Sequence, residues 1–318
     1  TDMTGNNVRQ VPAAEEILPA VAAARQTLMQ QRHLGIEDVS VAGVEEVEWP
    51  DGCLGVAVEG MVCTMAIVPG YRVTLEAGGQ SYVYHTNVDG SNVLLAEAPE
   101  SQLGAPALTW RGIETPCQEA QINENGVAFG LCGGAVMDGS FATPEREEQL
   151  QYFVKTYRTF TADTKAGKVT LNGSGLQEAT ISEQRAIAEW ARLAVLEAVA
   201  GRPDTTYGLA LTWHREGGIA GFCDDLSIYV TGEAYVRTCK SQPSRSLGYA
   251  FLSANQLEQV FAWLDTLQTT DIQVDDPAAA DAMMVHLTFN GLGEREMTEK
   301  EKQTLLSFAA NLYATIDR

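Results

Sequence analysis

The chain has 318 residues, of which 42 are acidic and 21 are basic, so its formal net charge at neutral pH is −21. A nucleic-acid-binding protein needs a positive surface that displaces counterions, and an excess of carboxylates also opposes adsorption to anionic lipid. No apolar run approaches the ~20 residues that a membrane-spanning helix requires. Composition therefore argues against nucleic-acid binding and against a transmembrane segment.

The first hundred residues are predicted to form one helix followed by a meander of strands. Residues 13–32 carry apolar side chains at helical spacing. Alternating apolar residues then predict strands from Val39 and from Tyr71, and Gly78-Gly79 turns the chain into a further strand. Asn87 to Asn92 contains Asp-Gly, which favours a hairpin turn over a calcium loop.

Residues 47–96 carry a spaced pattern of aromatic, cysteine and glycine residues. The segment runs Val47-Glu48-Trp49-Pro50-Asp51-Gly52-Cys53-Leu54-Gly55, then Cys63, Pro69-Gly70-Tyr71-Arg72 and Tyr82-Val83-Tyr84-His85-Thr86. This pattern resembles a segment of uncharacterised exported bacterial proteins, many of them lipoproteins. The order of one helix and a strand meander resembles the PepSY or cystatin topology. The resemblance implies export and no particular activity.

Residues 107–318 contain one pattern twice. Ala107-Leu108-Thr109-Trp110 recurs as Ala210-Leu211-Thr212-Trp213, Cys117 and Cys132 recur as Cys223 and Cys239, and Val169-Thr170-Leu171-Asn172-Gly173 recurs as Leu287-Thr288-Phe289-Asn290-Gly291. The offset between the copies grows only in polar or Gly/Pro-containing stretches, where surface loops tolerate insertions. The alternative, two unrelated segments of similar composition, requires all these features to coincide.

Each copy is predicted as strand, cysteine-closed hairpin, helix, strand and helix. In the hairpins Gly126, Ala128 and Phe129 are matched with Gly232, Ala234 and Tyr235; in the helices Leu150, Phe153, Val154, Tyr157 and Phe160 are matched with Leu257, Val260, Phe261, Leu264 and Leu267. Thr180 with Glu183 and Thr298 with Glu301 form capping boxes at the last helices. The predicted fold class is therefore α+β, with an N-terminal helix-plus-antiparallel-sheet domain over residues 1–100 and two tandem small α+β domains over 101–203 and 204–318.

The six cysteines allow 15 pairings, and the repeat selects one. The predicted disulfides are Cys53–Cys63, Cys117–Cys132 and Cys223–Cys239. Such bonds persist in oxidising compartments, and the alternative is six free thiols in a cytosolic protein. Zinc is disfavoured because no CxxC occurs and no histidine lies near a cysteine pair at ligand spacing. The start at Thr1 without methionine fits removal of a signal peptide, and a lipid anchor upstream of Thr1 is compatible with it.

Catalytic chemistry is not predicted. Ser174 lies between glycines but lacks the GxSxG pattern, and the second copy has Leu292 there. Asp224-Asp225 matches Gln118-Glu119 in the first copy, and Asp275-Asp276 lies in an inserted loop, so both pairs are interpreted as solvated carboxylates. The four histidines, His33, His85, His214 and His286, are interpreted as structural or surface residues. No cofactor or metal is expected.

The loops that differ between the copies are the predicted interaction sites. They contain Gly133, Gly134, Met137 and Asp138 in the first copy and Arg237, Lys240 and Arg245 in the second. Loops commonly carry function on a shared scaffold, although ordinary loop drift explains the same differences.

The sequence predicts an exported, disulfide-stabilised, non-enzymatic binding or structural protein of the cell envelope or extracellular space. It would be secreted or tethered to the outer face of a bacterial membrane. The expected partner is another protein or a second copy. One alternative is a self-assembling filament or surface-layer subunit; others are a protease inhibitor, suggested by the cystatin-like first domain, and an enzyme whose site is assembled from scattered residues.

Overall fold

The computed structural model describes residues 18–219, 221–241, 243–274 and 283–317. It is mostly β, with 41% strand and 28% helix, and it contains three antiparallel sheets of four, six and six strands. The predicted α+β class is therefore wrong. The error comes from strands that the sequence pattern did not indicate, and these strands widen each repeat into a six-stranded sheet.

The first sheet is a meander in the order β1-β2-β3-β4. Its strands are β1 (Val39–Trp49), β2 (Val68–Ala77), β3 (Gln80–Asn87) and β4 (Val93–Glu97). One face is covered by α1 (Pro19–Arg32), which begins at the proline because that residue needs no backbone N–H donor in the first turn. Residues 13–17 of the predicted helix lie outside the described residues. The core between helix and sheet contains Val21, Ala24, Leu28, Val73, Leu75, Tyr82 and Tyr84.

The second sheet has the order β8-β7-β6-β5-β10-β9. Its strands are β5 (Leu108–Arg111), β6 (Gln118–Asn123), β7 (Gly126–Leu131), β8 (Val136–Gly139), β9 (Arg158–Thr164) and β10 (Gly167–Ser174). Two helices belong to this part of the chain, α2 (Pro144–Thr156) and α3 (Ile181–Ala200).

The third sheet has the same order, β14-β13-β12-β11-β16-β15. Its strands are β11 (Leu209–Gly217), β12 (Phe222–Tyr229), β13 (Glu233–Thr238), β14 (Arg245–Phe251), β15 (Gln268–Val274) and β16 (Met283–Leu292). Its helices are α4 (Ala254–Thr266) and α5 (Glu299–Ile316). Residues 275–282, including Asp275-Asp276, lie outside the described residues.

Both predicted capping boxes are confirmed. The Thr180 backbone N–H donates to the Glu183 carboxylate at 2.8 Å, and the Glu183 N–H donates back to the Thr180 hydroxyl. Thr298 and Glu301 form the same pair at the start of α5. A hydrogen bond from Arg295, with those from Thr298, lowers the pKa of Glu301 to about 2. Both helices thus begin where local hydrogen bonding predicts.

The sequence pattern does not predict four of the strands, for two reasons. β9 alternates between exposed and half-buried residues, many of them threonine, at the edge of its sheet. An edge strand of this kind buries too little apolar surface to give a period-two signal. β8 has only four residues in a glycine-containing stretch that resembles a loop. The corresponding edge strands β14 and β15 were missed in the same way.

The match between the repeats also differs in detail from the sequence prediction. Trp110 pairs with Ala120 in the second sheet, and Trp213 pairs with Leu226 in the third. When the two sheets are aligned on these pairs, Tyr235 is the equivalent of Ala128. A one-residue slip moves a strand side chain to the other face of the sheet. The predicted matches of Ala128 with Ala234 and of Phe129 with Tyr235 are therefore wrong.

The helix match is shifted as well. Tyr157 is the C-cap of α2 and Leu267 is the C-cap of α4, so these two residues correspond. The sequence comparison matches Tyr157 with Leu264, which lies three residues before Leu267 in the chain. Three residues are nearly one helical turn, so the apolar stripe survives the error. Phe160 lies in β9 and not in the helix.

The six cysteines form the three disulfides that the repeat predicts, Cys53–Cys63, Cys117–Cys132 and Cys223–Cys239. Among the described helices, none combines the length and the apolarity that crossing a membrane requires.

The chain separates into two compact units, with the division inside α3. The first unit takes the described residues up to Leu176 together with Ala191–Pro203, and the second takes Gln177–Trp190 with the described residues from Asp204 onward. The three-domain division with boundaries near residues 100 and 203 stays a prediction.

Candidate binding surface at the disulfide loops

A disulfide-closed loop, residues 50–67, joins β1 to β2 in the first unit. The Asp51 carboxylate accepts backbone hydrogen bonds from Cys53 at 2.9 Å and Gly55 at 3.2 Å, which fixes the base of the loop. The bond between Cys53 and Cys63 closes it. A loop held in this way loses less conformational entropy when it binds a partner.

The loop rests on a stacked pair of rings in the first sheet. Trp49 is 3% exposed, and its ring centroid lies 4.0 Å from that of His85. The His85 Nδ1 atom lies 2.8 Å from the Leu54 carbonyl oxygen. Burial lowers the pKa of His85; the bond to Leu54 opposes this shift, and the charge of Arg72 adds to it. This contact fastens the loop to the sheet, so His85 has a structural role.

The outer part of the loop exposes three apolar side chains. Val62 is 96% exposed, Met65 93% and Ile67 70%. Single exposed apolar residues are ordinary on soluble proteins, but three within six positions form a local patch. We call these three residues the apolar loop. Its position on a disulfide-closed segment makes it the most prominent candidate contact surface of the first unit.

A cavity of about 410 Å³ lies between this loop and the Cys117–Cys132 hairpin. Glu59 connects the two: its backbone N–H donates to the Cys132 carbonyl at 3.0 Å, and its carboxylate lies 2.7 Å from the Arg111 guanidinium. Gly133, a predicted interaction residue, lines this cavity. The two disulfide loops thus form one continuous surface.

A second cavity, of about 270 Å³, lies over the uncovered face of the second sheet. Arg111 stands directly opposite Lys168 in the pairing of β5 with β10, and both residues line this cavity. Glu119 and Gln121 line the same cavity. This arrangement places polar hydrogen-bonding groups beside the surface formed by the disulfide loops.

An apolar groove of about 350 Å³ lies elsewhere on the first unit, along α1. It is lined by Val21, Ala22, Arg25, Gln26, Met29, Ile36 and Val41. Ile36 is 60% exposed and Val41 36%. We call it the α1 groove. None of its lining residues belongs to the 50–67 loop.

The predicted interaction residues of the first copy divide into exposed and buried groups. Gly133 and Gly134 form the turn after β7, where the Gly133 N–H donates to Glu119 at 3.0 Å. Met137 is 3% exposed and packs in the core of the first sheet, so its side chain is not offered to a partner. The Asp138 carboxylate is bonded to Ser101 and Gln102. Only the glycine turn lies on the candidate surface.

The predicted basic residues of the second copy belong to the second unit. Arg237 lies on β13, Arg245 begins β14, and Lys240 lies between these strands. No ion pair within the described residues engages any of the three, and the Lys240 Nζ atom lies 5.9 Å from the Phe222 ring centroid. These three residues form a local positively charged surface on a chain whose net charge is negative.

The rejected nucleophile and carboxylates have structural contacts. The Ser174 hydroxyl donates to the Val154 carbonyl at 3.3 Å. Asp224, 6% exposed, pairs with Arg215 and accepts a 3.0 Å hydrogen bond from the Tyr313 hydroxyl. Asp225 accepts from His214 at 2.8 Å. Asp224 is therefore a buried tie between β11, β12 and α5, and the expectation that it is a solvated carboxylate is wrong.

Potential metal ligands converge at two disulfides. Asp51 lies with Cys53 and Cys63, and a second group consists of His214, Asp225 and Cys239. The cysteine sulfur atoms are oxidised, so neither group offers a thiolate. His214 is distant from Cys239 in the sequence, and the pairing of β11 with β12 and of β12 with β13 brings the two residues together. The sequence signal for this proximity was the repeat, which predicts that the strand containing Trp213 lies beside the cysteine-closed hairpin.

One family model matches the chain: a domain of unknown function (DUF8738), over residues 21–95. The matched segment contains most of α1, most of the first sheet and the whole 50–67 loop. No curated protein and no solved structure matches the chain.

Proposed function

We propose that this protein is an extracytoplasmic, non-enzymatic binding protein that associates with further copies of itself through its first unit. The observation that carries the proposal is the apolar loop, whose members Val62, Met65 and Ile67 are 96%, 93% and 70% exposed. Burial of apolar area is the main favourable term in protein association, at about 25 cal/mol per Å².

The α1 groove supports a second copy as the partner. It offers apolar walls with exposed Ile36 and Val41, complementary in character to the apolar loop. Val41 and Trp49 lie about 26 Å apart along β1 at about 3.3 Å per residue, and the loop follows Trp49. A projecting patch and a receiving groove at different places on one unit form a heterologous interface, which produces rings or open filaments.

The disulfides support an oxidising compartment. Their three bonds restrict the unfolded chain, and bonds of this kind persist in secreted and periplasmic proteins. Intact mass measurement with and without reductant on protein from its native host tests this part. Reduction adds about six hydrogen masses if the bonds form in the cell. If the cysteines of the freshly isolated protein can be alkylated before reduction, the extracytoplasmic location is contradicted.

Self-association is tested by sedimentation velocity and light scattering over a concentration series. We expect wild type to form oligomers and the triple variant Val62→Ser/Met65→Ser/Ile67→Ser to remain monomeric. A matched control, Leu176→Ser/Ile181→Ser, changes apolar residues that are 83% and 85% exposed elsewhere and should associate as wild type does. Monomeric wild type at all concentrations, or unchanged assembly of the triple variant, overturns the proposal.

Mixing two variants tests whether the apolar loop of one copy binds the α1 groove of another. Ile36→Glu places a charge in the α1 groove and leaves the apolar loop intact. Neither this variant nor the triple loop variant should assemble alone. A heterologous interface requires that their mixture form dimers and stop there, because each pair contains one intact loop and one intact groove. Absence of dimers in the mixture contradicts the loop-in-groove arrangement.

A further inference from the structure

Two histidines stand directly opposite each other in the third sheet. His214 on β11 pairs in register with His286 on β16. Their sequence neighbours Trp213 and Leu287, also paired, are buried in the core. Because side chains alternate along strands, both imidazoles project from the other face. Directly opposed residues have Cβ atoms about 4.5–5.5 Å apart, so the two side chains start close together. The His214 ring turns toward Asp225 on β12, and the His286 ring turns toward Asp271 on β15.

Carboxylates surround the two rings. His214 has the Glu216 carboxylate 3.4 Å from its Nε2 atom and the Asp225 carboxylate 2.8 Å from its Nδ1 atom. On the other side, the Asp271 carboxylate lies 3.8 Å from His286 Nε2. Both nitrogens of His214 therefore face oxygen atoms, and His286 has one oxygen neighbour on the adjacent strand β15.

We propose that His214 and His286 together bind one divalent transition-metal ion, with Glu216 as a carboxylate ligand and Asp225 orienting the His214 ring. Metal-binding histidines usually donate their second ring N–H to a carboxylate, which fixes the ring and leaves the other nitrogen free for the ion. The contact between His214 Nδ1 and Asp225 has this form. It leaves Nε2 beside Glu216, and rotation of the His286 side chain away from Asp271 would bring its ring to the same ion.

The second sheet provides an internal comparison. At the corresponding pair of positions it carries Arg111 opposite Lys168, next to the pair of Trp110 with Val169. Guanidinium and ammonium groups have no lone pair to give to a metal. The two sheets thus share their strand order but differ at the pair of side chains that would hold the ion. Binding is expected at the third sheet only.

The ligand set selects the kind of ion. Imidazole with carboxylate suits Zn²⁺, Cu²⁺ or Ni²⁺, whereas Mg²⁺ and Ca²⁺ prefer oxygen ligands alone. Cys239 is close to His214, but its sulfur is bonded to Cys223 and contributes no thiolate. His214 is 30% exposed and His286 48%, so an ion enters from solvent without any opening of the fold.

Isothermal titration of the full chain with ZnCl2, and separately with CuSO4, tests the site. We expect one ion per chain, tighter Cu²⁺ than Zn²⁺ binding, and a loss of more than about 100-fold in affinity for His214→Gln/His286→Gln. Asp225→Asn should cost about 10–100-fold, as expected for an orienting carboxylate. His33→Gln is the matched control and should bind as wild type does. Unchanged affinity in the double histidine variant overturns the proposal.

Imidazole NMR of the unmodified chain tests the assignment without any substitution. Zn²⁺ should shift the ring signals of two of the four histidines, His214 and His286, and leave those of His33 and His85 unchanged. Shifts at His33 or His85 instead, or no shift at all, contradict the proposed site. Both measurements are independent of self-association, which is followed by sedimentation.

Discussion

Trp49 and His85 form a stacked pair, with ring centroids 4.0 Å apart and an interplanar angle of 23°. The indole N–H of Trp49 also donates a 2.9 Å hydrogen bond to the carbonyl of buried Thr86. Through His85 the pair reaches the Leu54 carbonyl in the disulfide-closed loop. The first sheet and the candidate binding loop are therefore joined through two neighbouring rings.

Trp49→Phe should lower the free energy of unfolding by about 1–3 kcal/mol, because it leaves the buried Thr86 carbonyl without this donor. Urea denaturation measures the change. Trp263→Phe is the matched control, since the Trp263 ring packs on Phe308 at 5.3 Å and its N–H makes no hydrogen bond within the described residues. An equal loss in both variants would contradict a specific role for the Trp49 hydrogen bond.

Acidification should weaken the first unit through His85. Burial lowers the pKa of His85 in the folded state; the Leu54 hydrogen bond and Glu97 oppose this shift, and Arg72 adds to it. The unfolded state therefore binds more protons below its ordinary pKa of about 6.5, so stability falls as pH decreases through that value. Thermal unfolding at pH 7.5 and pH 5 should show a smaller difference for His85→Gln than for wild type. Equal differences would exclude His85 as the source.

Glu197→Ala should cost about 3–5 kcal/mol, because it strands a buried guanidinium. The Glu197 side chain is 1% exposed and that of Arg146 is 11%, and two hydrogen bonds of 2.8 and 2.9 Å join them. Glu114→Ala is the matched control, since Glu114 is 64% exposed in its pair with Arg192 and should cost at most about 1 kcal/mol. Chemical denaturation of both variants checks the ranking, and similar losses would contradict it.

Salt should promote self-association. The chain carries a net charge of −21, so copies repel one another, whereas the apolar loop and the α1 groove attract independently of charge. Raising NaCl from about 0.01 M to about 0.15 M shortens the Debye length from about 30 to about 8 Å. Sedimentation velocity should show a larger oligomer fraction at the higher salt concentration. A decrease would indicate an interface held by ion pairs instead.

Local sequence patterns predict the structure correctly wherever a short stretch of chain decides it. The capping boxes at Thr180 and Thr298 depend on residues three positions apart, and the hairpin at Asp89-Gly90 depends on its own turn. The edge strands β8 and β9 were missed because their stability comes from backbone pairing with neighbouring strands. That pairing leaves little trace in side-chain periodicity.

The candidate sites depend on which side chains are covered, and the sequence alone does not show this. Gly133 lies in an exposed turn, whereas Met137 in the same predicted interaction stretch is buried. Periodicity assigns a side chain to one face of a strand and does not tell what covers that face. Val62 and Met65 lie in the loop between β1 and β2, where no periodic pattern indicates which side chains are exposed.

By itself the sequence determined the pairing of six cysteines, the starts of two helices and the repeated order of apolar strands, because these depend on local spacing and on comparison of the two copies. Only the tertiary structure decided that each repeat is a six-stranded sheet, and that His214 and His286 are neighbours. Strands distant in the chain meet through backbone hydrogen bonds whose register no local pattern fixes. That register brings the two imidazoles to the same place.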